Sequence, residues 1–487
     1  MDNVDLFIRE NKDNPAELFS FFLKEQKATK YDNYVRRAKE YREEFENQRL
    51  RRIASVGYKK PFEVAVYSET EFEIDPRTKR RRPKILRYET QPSAKIIVPF
   101  PQKITEAAVA FLFGGEMSIE TENPDEDFAA FKKYVTKKVR MQTTLKKFAR
   151  TVFCETKSAI VFFIKPKEGN EPAKLKTTIL DADSGDFFPY FDEYDDMIAF
   201  SRKFETEIDG ESGEMVEILT KEMIYRWFNG KNGWTLIKSM ANEFKKIPVI
   251  YQERKYPIWE SVVDSIDKYE TRISRLSDTN DYFSEPIVLV FGDPHNIPER
   301  GRAGKMLHFE EGQTVDGKKT QGDAKYLTWD SSPDAINLEL KLLKDIIFNM
   351  TDTPDLSFES LKGLGNVANF AMKLIFLGAE IKKQQNNEDF SVTVERFMSV
   401  LVAGYNIIFR KDFSNIEIDV DFASILPDDL KEELDNLGNA VNDGILSKES
   451  AVGQNKLVKN ASAELERLAK EEQARNTNIA DIAGSSD

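Results

Sequence analysis

Only one cysteine, Cys154, and two histidines, His295 and His308, occur among the 487 residues. A lone cysteine excludes intramolecular disulfides and any multi-cysteine metal site. Zinc hydrolases, Cys–His nucleophile pairs and zinc fingers therefore lack their residues. Both histidines lie in a Gly/Pro-rich stretch with no G-x-S-x-G elbow nearby, so a Ser-His-Asp arrangement has no setting. A phosphate loop is missing too: GRAGKM at 301–306 and DGKKTQGD at 316–323 lack the first Gly at the right offset and the Ser/Thr after Lys. No run reaches about 18 consecutive apolar residues, so no membrane span is expected. The opening MDNVDLFIRENKDN is acidic and polar where a signal peptide would be basic and then apolar, and a cytoplasmic site of action is expected.

What is present is an ordinary soluble balance, 32% charged and 40% hydrophobic. The length suits roughly two to four structural units. A net charge of −13 argues against general coating of nucleic acid, which wants a basic, counterion-releasing surface, while leaving a local contact open. Acidic pairs such as Asp195-Asp196 and Asp428-Asp429 read as solvated turns and helix N-termini. A metal-dependent nuclease or nucleotidyltransferase would need carboxylates clustered on neighbouring strand ends, and no such set appears at the usual spacing.

The first half reads as α+β and mostly antiparallel. Residues 1–55 are rich in helix formers, and from Pro61 to Pro99 alternation predicts strands in FEVAVYSETEFEI, PKILRYET and AKIIVPF. Between the first two lies RTKRRRPK, residues 77–84, either a phosphate-contacting loop or a solvated hairpin tip; a charge run between strands favours the tip. QKITEAAVAFLF predicts a helix closed by Gly114-Gly115, and MSIETE a strand. DEDFAAFKKYVTKKVRMQTTLKKFART predicts one long amphipathic helix with an acidic start and basic end. Strands follow in SAIVFFIKP, KLKTTILDA, MIAFSRKFE and MVEILTKEMIYRWF.

After Pro257 the spacing of Trp259, Val262, Val263, Ile266, Tyr269, Ile273 and Leu276 predicts a one-sided helix of roughly 39 Å. Residues 285–330 form a Gly/Pro-dense insertion with short strands, and Ser331-Ser332-Pro333-Asp334 caps a second helix, AINLELKLLKDIIFNM. TDTPDLSFESLKGLGNV interrupts as a loop before the longest helix, with kinks expected near Gly378 and Gly404. NIEIDVDFA predicts a strand, Gly444 a helix C-terminus with positive φ, and Ser447 an N-cap; the last fifteen residues look like a mobile tail. Long helix, tip and returning helix make a stalk whose apolar side needs sister copies.

In this order several segments resemble the portal (head–tail connector) proteins of tailed bacteriophages. AKIIVPFPQKITEAAVAFLFGGEMSIE is similar to their strand, Asn/Pro-Phe-Pro turn and helix, with Pro99 where Asn is usual and Glu116 where Pro is common. KKIPVIYQERKYPIWESVVDSIDKYETRISRLSDTNDYF resembles their Ile-Pro-Val strand and stem helix, and NMTDTPDLSFESLKGLGNVANFAMK their link to the long helix, with Ala368-Asn369 replacing Ser-Gly. IEIDVDFASILPDDLKEELDNLGNAVNDGILSKESAV closes the likeness, which covers residues 95–472.

The resemblance implies a portal-like α+β fold: an N-terminal wing over 1–255, stem helices at 256–284 and 331–351, and a small β-containing clip at 285–330. It further implies a tunnel loop at 352–366, a long wing helix and strand at 367–425, and a helical crown with tail at 426–487. It implies a ring of copies, usually twelve, at one capsid vertex of the virion, assembled in the host cytoplasm. Double-stranded DNA would pass through the axis. The terminase large subunit would dock on the clip and later give way to head-completion or tail proteins, with the major capsid protein alongside. No catalytic residue, cofactor, metal or membrane is implied; the alternatives are the metal-dependent enzyme above and a monomeric virion adaptor.

An acidic tunnel wall would repel phosphates and let DNA slide. Contact is then expected at the tunnel loop, with Lys362 as the charged group and Leu361 and Leu364 as an apolar collar; equally, Lys362 is solvated and the leucines pack between subunits. Arg300, Arg302 and Lys305 of the clip either meet an acidic motor surface or pair between subunits. Val263, Ile266, Leu343, Ile347 and Met350 are expected to bury between subunits, since apolar surface left wet costs roughly 25 cal/mol per Å². Asp264, Asp267, Glu339 and Lys344 are then the water-facing positions.

Overall fold

The computed structural model describes residues 4–14, 17–18, 34–48, 62–74, 76, 81–91, 94–122, 124–169, 172–194, 196–284, 287–291, 312–313, 319–320, 323–327, 333–355, 375–413, 416–425, 430–455, 457–458 and 461–484. The chain divides into a larger unit, Met1–Ser357 with Phe376–Ser424, and a smaller one, Phe358–Ile375 with Ile425–Asp487.

The larger unit begins with helices α1 (Val4–Glu10) and α2 (Tyr34–Phe45) and a long ribbon, β1 (Phe62–Ile74) against β2 (Arg81–Gln91). Next come α3 (Phe100–Phe113), β3 (Met117–Glu120), α4 (Glu126–Tyr134) and α5 (Met141–Glu155). Strands β4 (Lys157–Lys165) and β5 (Lys174–Leu180) join β11 (Val249–Glu253) in a three-stranded antiparallel sheet of order β11-β4-β5. Between them the chain makes a five-stranded meander: β6 (Asp186–Phe191), β7 (Met197–Ile208), β8 (Glu211–Thr220), β9 (Met223–Gly230) and β10 (Gly233–Ala241). Helix α6 (Val263–Ser284) leads to β12 (Ile287–Phe291), which pairs with β15 (Asp323–Leu327); β13 (Gly312–Gln313) pairs with β14 (Lys319–Thr320). Helices α7 (Pro333–Met350) and α8 (Leu377–Phe409) follow, and β16 (Asp419–Phe422) returns to pair with β3.

Helix α8 is the spine of the core. By length and composition it could cross a membrane, but its aromatic side chains are built into the protein: Phe390 meets the rings of Phe153, Phe113 and Phe148 at 5.5, 5.7 and 6.2 Å. Phe397 meets Phe162 at 5.0 Å, and Tyr405 meets Phe131 at 5.0 Å. The helix is continuous across Gly404, where a Cβ would stand 2.7 Å from Leu175 Cδ1, so glycine lets α8 lie close on β5. Gly115 has the same use with less latitude: its Cβ would meet the Ala423 carbonyl oxygen at 1.7 Å, where β16 closes on β3.

Three local expectations change. The helix predicted through residues 125–151 is broken by a π-helical turn, Val135–Val139, and by Arg140 in the left-handed region at φ 56, ψ 50. Val139 and Met141 are both buried, yet two residues along one helix point about 200° apart; the break lets both face the core. MVEILTKEMIYRWF is a hairpin, β8 and β9, turned at Lys221-Glu222 where Thr220 Oγ1 accepts from the Met223 amide at 2.9 Å. AKIIVPF is extended but joins no strand, for a reason given below.

The smaller unit holds α9 (Leu430–Asn442), α10 (Lys448–Gln454) and α11 (Ala461–Gly484). Gly444 takes φ +72, and the Ile445 amide donates back to the Ala440 carbonyl at 2.9 Å, which closes α9. Ser447 Oγ caps α10 by accepting from the Ser450 amide at 3.0 Å. Helix α11 continues to Gly484, through most of the segment expected to be a tail.

Candidate functional site

Helices α6 and α7 pack side by side, and a strap of extended chain runs along α6. The amides of Ala94, Ile96 and Val98 donate to Asp278 Oδ1 at 2.5 Å, Ser274 Oγ at 3.0 Å and Glu270 Oε1 at 3.0 Å. Alternate amides of an extended chain recur every ~6.6 Å, and every fourth helical residue recurs every ~6.0 Å. The two periods nearly match, so a helix face can serve an extended chain as a strand edge would. That is why the period-two pattern of residues 94–98 is real although no strand pairs there. Ser274 in turn donates to the Glu270 carbonyl at 2.6 Å.

The strap ends at Phe100, the buried first residue of α3, wedged between Tyr269 of α6 and Phe348 of α7 at ring distances of 5.3 and 5.8 Å. Lys103 Nζ stands 4.4 Å over the Phe348 ring. Charge pairs tie the same region: Arg272 Nε lies 2.8 Å from Glu339 Oε2 across the two helices, and Lys344 Nζ lies 2.8 Å from Asp355 Oδ2. The buried rings of Phe100 and Phe348 form a wedge at the root of the helix pair, with exposed Lys103 and half-buried Lys344 over its Phe348 ring.

The other side of α7 is bare. Leu338, Leu342, Ile346 and Met350 recur every four residues and are between 42% and 65% exposed. They form one apolar stripe along the helix.

Of the residues expected to bury between subunits, Ile266 and Ile347 are wholly enclosed in the chain's own core, beside Trp259, Val262 and Phe348. They have no surface left for a neighbour; this corrects their assignment. The cause is the strap and α3, which cover the face where α6 and α7 meet. Val263 and Leu343 are half-buried, and Met350 is 65% exposed. Asp264 is exposed, Asp267 half-buried, and Glu339 and Lys344 are held in the ion pairs above. Leu361, Lys362, Leu364, Arg300, Arg302 and Lys305 lie outside the described residues. So do residues 77–80, the first half of the 77–84 run, whose last four residues belong to β2.

Elsewhere the ionisable groups are structural. Glu217 in β8 is fully buried and bridges Arg202 of β7 and Arg226 of β9, each Nε at 2.5 Å. Lys157 is buried among Phe188, Phe187 and Tyr251, with its ammonium 4.1, 4.6 and 5.9 Å from the rings. Burial lowers its pKa to about 7 against the pull of Glu253 and Asp186. Burial pushes the Cys154 thiol up, which leaves it unreactive. Among the described residues no group of three His, Cys, Asp or Glu is placed to hold a metal ion.

The ladder on α6 was missed in the sequence, although Glu270, Ser274 and Asp278 stand at i, i+4 and i+8 as a polar stripe. Read with the alternation just upstream of Phe100, that stripe is the available signal.

The sequence matches the family described as "Phage portal protein, SPP1 Gp6-like" over residues 79–478. No curated protein sequence matches. Among solved structures the chain is similar to the neck of an empty GTA particle computed with C6 symmetry, at 9% identity over 72% of this chain and 88% of that one, TM-score 0.40. It is also similar to the neck of a native GTA particle computed with C12 symmetry, at 11% identity over 73% and 88%, TM-score 0.39. A third is the virion of a native gene transfer agent (GTA) particle, at 10% identity over 72% and 86%, TM-score 0.34. At those scores the family match is the finding on which a functional reading rests.

Proposed function

The chain belongs to the phage portal proteins of the SPP1 Gp6-like family, and from that premise we propose that its copies close into a ring, a dodecamer, at one vertex of a capsid. Double-stranded DNA passes along the ring's axis during filling and ejection. The terminase docks first and head-completion or tail proteins replace it, while the major capsid protein surrounds the ring. The observation that carries this reading is the match over 79–478, which takes in the helical and sheet body, the helix pair and the C-terminal helices.

In this reading α6 and α7 are the stem, residues 285–330 the clip, 352–366 the tunnel loop and 426–487 the crown. Because Ile266 and Ile347 are enclosed, the surface that α7 offers a neighbour is the stripe of Leu338, Leu342, Ile346 and Met350. An apolar row of that length in water is costly, and a sister copy removes the cost. Lys362, between Leu361 and Leu364, is the charged contact with DNA, and Arg300, Arg302 and Lys305 face the motor. The protein's part is positional and electrostatic, with no bond made or broken: a chain of net charge −13, repeated around an axis, gives a wall that repels phosphates and lets DNA slide.

Purified protein viewed down its axis by negative-stain microscopy, with its mass measured in solution, tests the reading. Rings near 670 kDa, about twelve copies of the 56.1 kDa chain, are expected. A particle that stays at 56.1 kDa under all conditions overturns it. Divalent-cation-dependent cleavage of DNA by the pure chain would point to an enzyme instead.

A further inference from the structure

The ribbon of β1 and β2 and the hairpin of β7 and β8 carry opposite charge. In the ribbon's outer half, residues 69–88, seven Lys or Arg outnumber four acids (Glu69, Glu71, Glu73 and Asp75), whereas residues 205–214 hold five acids and no base. Strands β1 and β2 pack chiefly on one another, and a two-stranded ribbon is marginal on its own. Its apolar side chains are open: Phe72 and Ile74 on β1, Leu86 and Tyr88 on β2, from 48% to 71% exposed. The Arg81 guanidinium lies 4.3 Å over the Phe72 ring, so cations and apolar groups share one surface. On the other hairpin Glu205, Glu207 and Asp209 are exposed, and no ion pair among the described residues holds them.

We propose that the basic, aromatic ribbon of one copy docks on the acidic β7–β8 hairpin of the next copy in the ring. The inference rests on the ring reading above and names a contact within it. Two different patches of opposite sign on one chain are what a head-to-tail contact needs, and head-to-tail contacts close rings. The open apolar groups favour a protein surface over a nucleic acid, whose phosphates would be matched by the cations alone. Docking is through the ribbon's face rather than by adding a strand to its edge. Pro83 removes an amide from β2, and a register break between Tyr67 and Phe72 disrupts β1, both of which blunt an edge. Within the ribbon Lys84 already pairs with Glu71 at 2.7 Å and Arg87 with Glu89 at 2.5 Å. These pairs are exposed, so they compete weakly with a docked partner.

Two variants test the contact without depending on the internal pairs. The first is Arg77→Glu/Lys79→Glu/Arg80→Glu/Arg81→Glu/Arg82→Glu, which leaves Lys84 and Arg87 in their pairs and turns this end of the ribbon net acidic. The second is Glu205→Lys/Glu207→Lys/Asp209→Lys, which turns the hairpin tip net basic. Each alone sets like charge against like, and ring yield by mass photometry at low salt is expected to fall at least tenfold. Mixed in equal amounts, they can alternate around a ring with opposite charges facing at every contact, and the yield is expected to return to within twofold of wild type. That rescue also shows both variants to be folded. Either variant assembling alone as wild type does overturns the proposal, as does a mixture that fails to assemble. Normal rings from the first variant, coupled with lost retention of linear duplex DNA, would overturn it in favour of nucleic acid as the occupant. Wild-type protein that never forms rings would sink the ring reading itself, a separate result from wild-type rings whose variants assemble freely.

Discussion

The amide of Ile96 donates to the hydroxyl of Ser274 at 3.0 Å, linking residues 178 apart in sequence. It is the middle rung of three between the strap and α6, and Ser274 is buried. Ser274→Ala removes the side-chain acceptor that the half-buried Ile96 amide uses on α6. Urea unfolding should show a loss of roughly 1–3 kcal/mol. Thr279→Ala, whose hydroxyl only bonds back to the Arg275 carbonyl on the exposed part of the same helix, should change stability by less than about 0.5 kcal/mol. Equal losses would mean that the rung carries no special weight.

Glu217 faces Arg202 and Arg226 in direct cross-strand register, so one carboxylate separates two guanidinium groups in the middle of the five-stranded sheet. Glu217→Ala leaves both cations close together with no counter-charge. The expected loss is about 3–5 kcal/mol, the usual result of removing one member of a buried ionic group. Chemical denaturation followed by tryptophan fluorescence would report it, since Trp227 lies on β9 beside the triad.

Much of this architecture was legible in the sequence. The ribbon, the strand-rich body and the two helices α6 and α7 follow from period-two and period-3.6 patterns, and Gly444 and Ser447 behave as their chemistry dictates. Where the sequence misled, a tertiary demand intervened. The break at Arg140 answers a need to bury both Val139 and Met141, which no local preference announces. The strap at 94–98 has the alternation of a strand, but its partners are side chains of a helix that begins at Val263. Ile266 and Ile347 read as an outward face because the element that covers them, the start of α3, comes more than 150 residues earlier. A one-sided helix shows that it needs a cover and is silent on which part of the chain supplies it.

The bare side of α7 gives a different kind of expectation. Leu342→Asp with Ile346→Asp places charge on the exposed stripe while leaving the buried Ile347 and Phe348 untouched. The isolated chain should keep its melting temperature within a few degrees, since exposed substitutions usually shift stability by less than about 0.5 kcal/mol. Ring yield should collapse, because each neighbour contact would then bury charge against apolar surface. Rings that survive the double substitution would remove α7 from the subunit contact.

Lys157 ties stability to pH. Its ammonium is buried at the start of β4, ringed by Phe188, Phe187 and Tyr251, with Glu253 and Asp186 as the nearby acids. The rings and acids favour the charged form, but burial outweighs them and the folded-state pKa falls to about 7 from an ordinary 10.5. Below pH 7 the lysine is charged in both folded and unfolded chains, and the cost of burying that charge is fully present. Between the two values the folded chain has released the proton while the unfolded chain still holds it, so unfolding takes up a proton and stability rises with pH. The slope cannot exceed about 1.4 kcal/mol per pH unit for one proton. Above the ordinary value both forms are neutral and the effect stops. Lys157→Met should therefore raise stability most at pH 6 to 7 and flatten the rise toward alkaline pH. Urea midpoints at a series of pH values for both proteins would test it, and parallel curves would show that the charge at position 157 is not what the fold is working against.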